Sequence, residues 1–385
     1  MNGLTIKLCY FIFSLYLMGM AYFLWTNQFY NTDIEAYMGL VYKTAHPEMP
    51  IEEIHKRVFQ ELDQNQFKHS KTDHTGRVEV TIGENTYYKT IAEYPDIFLE
   101  ELQLFAVKPF YNFINYGFFK LGLSAAASTF AISVISYVLI LVVILLFLVR
   151  ILRNHYLAIL FTLFFSLFKP LLDGARHAAP DNLSCLLLLL SFYFFVIKRD
   201  LWAVTIFAML CVFTRPDYII LYTLLTVLLL VSAKQWQVSR PKLLASYFYV
   251  AASFLVVQYF NQVPWTILFM NQFVEVQLYP VSNPGILQLA DYLRVLKSKI
   301  FFEFNSSYYP ILLMFIVLIM AGRFSEMTHK QFLFLVSFFA IIYASVFIRF
   351  LIFPMLVTRM MIGYYIIIIL SLICINFSKV NLSRT

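Results

Sequence analysis

The chain is 385 residues long, 61% hydrophobic and only 13% charged, with a mean hydropathy of +0.72. That composition excludes an ordinary soluble domain and points to repeated crossings of a hydrocarbon core roughly 30 Å thick. The net charge of +7 does not signal nucleic acid, because Lys and Arg sit mainly in short hydrophilic breaks between apolar runs, where they orient a chain in a bilayer.

Residues 4–25 form an apolar run with Lys7 on its N-terminal side and Tyr22-Phe23-Leu24-Trp25 at its end. No small-residue cleavage site follows, so the run reads as a retained anchor with an aromatic interfacial end. Residues 26–122 are polar and charged, a loop too long and too patterned to be a passive connector. Within it, Thr32-x-x-Glu35 is a capping box that predicts a helix through about Thr44, with Tyr37, Leu40 and Val41 on one face. Pro47 to Leu62 places Ile51, Ile54, Val58 and Leu62 at helical spacing, with Glu52 and Glu53 early and Lys56 and Arg57 late, as the helix dipole favours. Arg77 to Ile91 alternates Val78, Val80 and Ile82 around Gly83-Glu84-Asn85, which predicts a β-hairpin. Asp96 to Phe119 is rich in aromatics and predicts one helix lying along the membrane surface.

Residues 123–385 carry the remaining spans, near 125–149, 155–169, 183–197, 201–214, 218–233, 243–260, 309–322, 331–348 and 360–377, with an outer loop at 261–308. With the first segment this predicts an all-α polytopic membrane protein of about ten transmembrane helices. Two of the runs, 155–169 and 201–214, are short for a full crossing and suit tilted or re-entrant segments. Cys9, Cys185, Cys211 and Cys374 all lie in apolar segments, without the spacing of a disulfide framework or a metal site.

Basic residues set the expected orientation. With the N-terminus inside, the inner breaks carry Lys7, Arg150, Arg153, Lys198, Arg199, Lys234, Arg240, Lys242, Arg323, Lys330, Lys379 and Arg384. The outer ones carry Lys169, Arg176, Arg215, Arg294, Lys297, Lys299, Arg349 and Arg359. The bias favours the large loop outside, and cations kept on that side against the rule need another reason to be there.

Four outer clusters are the candidates for chemistry. They are Asp33 and Glu35 after the first span, Lys169 to Asp181 with Arg176 and His177, Arg215-Pro216-Asp217, and Arg349 with Arg359 before the last span. Carboxylates beside Arg, Lys and His at one interface suit a site that holds an anionic lipid headgroup and accepts a proton next to it. Each has a structural competitor. Glu35 is explained by the capping box and Asp33 by the helix dipole, while Arg215 and Asp217 fit a turn's own ion pair. Asp181 suits a helix cap, and Arg349 and Arg359 suit interfacial snorkelling. His69, Asp73 and His74 have no further ligand fixed by spacing, so no metal and no cofactor is assigned, although a divalent metal stays open.

The order of these motifs resembles the GT-C class of integral-membrane glycosyltransferases, in particular the protein O-mannosyltransferase and aminoarabinose-transferase branch. The resemblance rests on the acidic motif after the first span, on Lys108-Pro109-Phe110-Tyr111 near the end of the loop, and on Ala175-Arg176 leading through Pro180-Asp181 to Leu183. Arg215-Pro216-Asp217 and the late arginine complete it. The acidic motif departs from the adjacent Asp-Glu of many members, so both carboxylates remain candidates. The resemblance implies a GT-C-like fold and an inverting transfer of a sugar from a polyprenyl-phosphate-linked donor to a glycan, lipid or protein acceptor. It further implies an acidic residue of the first loop as base or acceptor-orienting group; Asp33 is the expected base, with Glu35 supporting it or orienting the acceptor. Lys108, Lys169, Arg176, His177, Arg215, Arg349 and Arg359 would serve the donor phosphate. A bacterial inner membrane with a periplasmic site is the expected location. A transporter or flippase of lipid-linked sugars would use the same cations without catalysis, and a non-catalytic membrane partner would use the loop for protein contacts.

Overall fold

The computed structural model describes residues 3–30, 33–69, 86–261 and 263–377, and among these the protein is all-helical with no strand. The first span is α1 (Gly3–Thr26). A cap of surface helices follows: α2 (Ile34–Ala45), α3 (Ile51–His69), α4 (Thr86–Glu93), α5 (Pro95–Phe105) and α6 (Pro109–Lys120). The bundle then runs α7 (Ala125–Leu152), α8 (His155–Ser166), α9 (Lys169–Arg176), α10 (Asp181–Tyr193), α11 (Leu201–Thr214), α12 (Ile219–Val231), α13 (Ala233–Trp236) and α14 (Arg240–Phe260). It closes with α15 (Trp265–Phe273), α16 (Leu289–Ser306), α17 (Tyr309–Gly322), α18 (His329–Ile352) and α19 (Ile362–Phe377).

Among the described residues six helices are long and apolar enough to cross a membrane, or eight if the bent pairs α8–α9 and α16–α17 each make one span. The expected ten exceed this because α11 and the Pro216–Val231 stretch are apolar but shorter than a crossing requires. Apolar side chains are distributed as a bilayer demands. α7, α10 and α19 are the most buried of the spans, whereas α1 turns Leu8, Phe11, Leu15 and Met18 outward, and α17 turns Leu313, Phe315 and Val317 outward.

Local chemistry sets several helix ends. Asn154 and Asp200 cap α8 and α11 by accepting from the backbone N–H groups two and three residues on, and Thr328 with Gln331 forms a reciprocal capping box at α18. The capping box expected at α2 cannot be followed, because Thr32 lies outside the described residues. Asp33 stands at the N-cap position of α2, yet its side chain makes no capping hydrogen bond.

The segment 26–122 carries its own core. Ile34, Met38 and Val41 of α2 pack with Ile54, Val58 and Leu62 of α3, with Phe98 and Leu102 of α5, and with Ala126 and Phe130 at the start of α7. α2 can approach α5 this closely because Gly39 faces it: a Cβ there would lie 2.6 Å from atoms of both Leu102 and Phe98. Glu61 ties α3 to the bundle by accepting from the Ala126 N–H at 2.9 Å and the Tyr42 hydroxyl at 3.1 Å.

Two expectations for this segment are corrected. Thr86 to Ile91 is helical, so the second arm of the expected hairpin does not form, and residues 77–85 lie outside the described residues. The single helix over 96–119 is two, α5 and α6. Pro109 lacks a backbone N–H and disfavours helical geometry at the residue before it, so the chain breaks at Lys108, which has φ −121° and ψ 64°.

Candidate functional site

The chain leaving α1 is fastened beside α9 before it reaches Asp33. Phe29 N–H donates to the Arg176 carbonyl at 2.8 Å, and the Arg176 guanidinium returns a bond from Nε to the Asn27 carbonyl at 2.7 Å. Phe29 and His177 form an isolated parallel bridge with their rings 4.8 Å apart. Ser133 of α7 holds the other strand of this contact by donating to the carbonyls of His177 and Ala179 at 2.7 and 3.2 Å.

The fastening sets Asp33 against Arg359, which is 326 residues away in sequence. Arg359 Nη2 donates to Asp33 Oδ2 at 2.9 Å, and Arg359 Nη1 donates to Asp181 Oδ2 at 3.1 Å. The other oxygen of Asp181 accepts from Arg215 Nη1 at 3.0 Å. Arg215 also forks onto Asp217, with Nε to Oδ1 at 3.3 Å and Nη2 to Oδ2 at 2.8 Å. Arg349 Nε completes the row at Asp217 Oδ2, 2.7 Å away. The result is one alternating row, Asp33–Arg359–Asp181–Arg215–Asp217–Arg349, in which planar guanidinium groups bridge successive carboxylates. Backbone carbonyls hold the arginines in place: Met360 accepts from Arg215 at 2.9 Å, and Met355 accepts from Arg349 at 2.6 Å.

Exposure is uneven along the row. The Asp181 side chain is 4% exposed, whereas Asp33 and Asp217 are 25% and 27% exposed. An incoming ligand would therefore meet Asp33, at one end of the row, and Asp217, beside the buried Arg349 at the other, before it met Asp181.

Lys108 stands beside this row on different terms. Its ammonium donates to the Tyr37 hydroxyl at 2.6 Å and lies about 5 Å from the Phe105 and Tyr37 rings, without an ion pair to any described carboxylate. Tyr37 is one turn along α2 from Asp33, so Lys108 is held close to that carboxylate. Burial lowers the ammonium to about 8, opposed by the attraction of Asp33 and Asp181. At Asp33 itself burial pushes the carboxyl up, but Arg359 and Lys108 outweigh it and hold it below the usual carboxylate range. Tyr111 stacks edge-on against Tyr37 at 4.7 Å, and its buried hydroxyl has no partner among the described residues.

The other expected site residues are dispersed. Glu35 is fully buried, and neither of its oxygens has a hydrogen-bond partner among the described residues. Burial, and then the neighbouring Glu101 carboxyl, raise Glu35 well above the usual range. Arg176 serves the Asn27 carbonyl, and Lys169 is exposed at the opposite end of α9. His177 donates from Nδ1 to the Asp173 carbonyl at 2.6 Å, and burial together with Arg359 lowers it to about 4, so it offers a neutral imidazole and not a cation. Of the expected set, the structure brings together Asp33, Arg215, Arg349 and Arg359, with Lys108 beside them.

Asp181 and Asp217, read from sequence as a cap and a turn partner, are instead the inner and outer carboxylates of the row. Their signal was present: each follows a basic residue closely at an expected outer break. Tyr37 and Ser133 carried none, since a tyrosine one turn along a helix and a serine in a span are ordinary core residues. No group of three or more metal-ligating side chains gathers among the described residues.

No protein-family model, curated protein or solved structure matches the chain. The site is therefore interpreted on its own chemistry.

Proposed function

We propose that the chain is a membrane glycosyltransferase that moves a sugar from a polyprenyl-phosphate-linked donor to an envelope acceptor on the outer face of a bacterial inner membrane. The observation that carries this reading is the contact between Asp33, just beyond the first span, and Arg359, just before the last, with the Lys108 ammonium close by. A proton acceptor and two cationic phosphate ligands are then within one partly open site. The resemblance of motif order to GT-C enzymes supports the same assignment.

In the proposed reaction the acceptor hydroxyl attacks the anomeric carbon from the side opposite the phosphate. The new C–O bond forms as the bond to the phosphate oxygen breaks, and the polyprenyl phosphate departs with the electron pair. The acceptor proton passes to Asp33, and Arg359 and Lys108 stabilise charge growing on the phosphate. A carboxylate held below its usual range does not ionise a free hydroxyl. It takes the proton late, when bond formation has made that hydroxyl acidic. The step as proposed uses Asp33 alone, because Glu35 is fully buried.

Reconstitution into liposomes tests the reading. Labelled sugar on a polyprenyl phosphate carrier is expected to appear on an acceptor glycan, lipid or protein. Transbilayer movement of the donor with no acceptor labelled would replace the transferase with a flippase. A second measurement addresses Lys108. Its positive charge is fully present below about pH 8 and is lost as pH rises through that value, so donor affinity should fall on the alkaline side. Lys108→Met is expected to weaken binding of polyprenyl phosphate about tenfold or more at neutral pH and to flatten the alkaline fall. Binding that keeps its alkaline fall in the variant removes Lys108 from the phosphate site.

A further inference from the structure

A cavity of about 160 Å³ lies in the bundle between α10, α11, α12, α14, α18 and α19, partly open and almost wholly apolar. Leu188, Phe195, Ala208, Leu229, Phe338 and Ile375 are among the residues that form its wall. Most of the helices involved place it away from the Asp–Arg row; on α12 it comes nearest, at Tyr222, five residues from Asp217. On α10 the wall begins at Leu188, seven residues or roughly 10 Å below Asp181, and on α19 it reaches Ile375, well past Arg359. On α18, which runs the other way, the wall is at Phe334 to Phe338 and Arg349 is near the far end. The cavity therefore belongs to the half of the membrane opposite the proposed catalytic site.

Its rim is basic. Lys198 and Arg199 lie between the wall residues Val196 and Leu201, Lys234 precedes Trp236, and Arg240 and Lys242 precede Leu243. All five cations are exposed. Arg199 is in the left-handed region at φ 55°, and its guanidinium lies over the Trp236 ring, 4.8 Å from the centroid. The nearby carboxylate, Asp200, is occupied as the cap of α11, where it accepts from the N–H groups of Trp202 and Ala203. Trp236 adds a polar group inside the rim: its indole N–H is out of solvent and has no acceptor among the described residues.

We propose that this cavity seats one acyl chain of an anionic phospholipid, with the phosphate at the Lys198–Arg199–Lys234 rim and a glycerol ester carbonyl accepting from Trp236. An apolar slot alone would suit any hydrocarbon. The cations above it select a negative headgroup, and the orphaned indole N–H calls for an acceptor at the depth where a lipid carries its ester oxygens. The volume matches: an engineered apolar cavity of ~150 Å³ takes up benzene, so this one accommodates a chain segment of a few carbons and not a second bulky group. The lipid is distinct from the proposed donor, whose phosphate would lie at the other end of the bundle.

The test uses the full chain in mild detergent, with native mass spectrometry and thermal unfolding after addition of phosphatidylglycerol, phosphatidylcholine or polyprenyl phosphate. One phosphatidylglycerol adduct and a raised Tm are expected, with at least tenfold weaker binding of phosphatidylcholine. Ala208→Phe fills the slot, and Arg199→Gln removes a rim charge at an exposed position. Each variant is expected to weaken phosphatidylglycerol binding about tenfold. Equal shifts with phosphatidylcholine, or wild-type binding in Arg199→Gln, overturn the proposal. So does displacement of phosphatidylglycerol by polyprenyl phosphate, which would give the slot to the isoprenoid. None of these results depends on sugar transfer, so failure here leaves the proposed reaction standing.

Discussion

Asp33→Asn is expected to reduce sugar transfer by about 10²–10⁴-fold while the protein stays folded and still binds donor lipid. The fold should survive for three reasons. Asparagine keeps an oxygen that can accept from Arg359, Arg359 retains Asp181 as its second partner, and the Asp33 side chain contributes no cap to α2. What the substitution removes is the proton acceptor. Transfer, donor binding and thermal unfolding should be measured on the same preparation. Loss of turnover with unchanged donor binding and unchanged Tm supports the base role. A parallel fall in Tm and turnover would assign Asp33 to holding the loop in place, and unimpaired turnover would sink the assignment altogether.

Arg215→Ala should instead act on stability, by about 3–5 kcal/mol. The Arg215 side chain is only 8% exposed and neutralises Asp181 from one side and Asp217 from the other. Its removal leaves Asp181, 4% exposed, with Arg359 alone and a truncated cavity beside it. The contrast is the exposed pair of Arg57 and Glu53, where the same change should cost no more than about 1 kcal/mol because water replaces the lost partner. Thermal unfolding in detergent and expression level give the comparison. If Arg215→Ala unfolds at the wild-type temperature, the row is not a structural element of the bundle.

The bundle was largely legible in the sequence, and so was the gathering of charge at one end of it. Long apolar runs name the spans, and the arginines expected on the outer side stood out because they oppose the usual charge bias. Helix lengths were harder, since a run such as Leu201–Thr214 is as apolar as a span and differs only in how far it reaches. The split of α5 from α6 could have been read from Pro109, but a continuous series of aromatics masked it. Spacing did not separate the two carboxylates of the acidic motif: Asp33 pairs with Arg359, while Glu35, two residues on, is fully buried near Glu101. Which carboxylate each arginine takes was not legible at all, because pairing depends on how five separate segments dock.

The alternating row has one more consequence. Three aspartates and three arginines cancel, so the row carries no net monopole, and opposed neighbours a few ångströms apart produce a field that dies away within about one Debye length, some 8 Å at physiological salt. Such an array does not draw a charged headgroup in from a distance. Encounter is left to lateral diffusion within the leaflet and selection to contact, when an arriving anion competes with a carboxylate for a guanidinium already oriented to receive it.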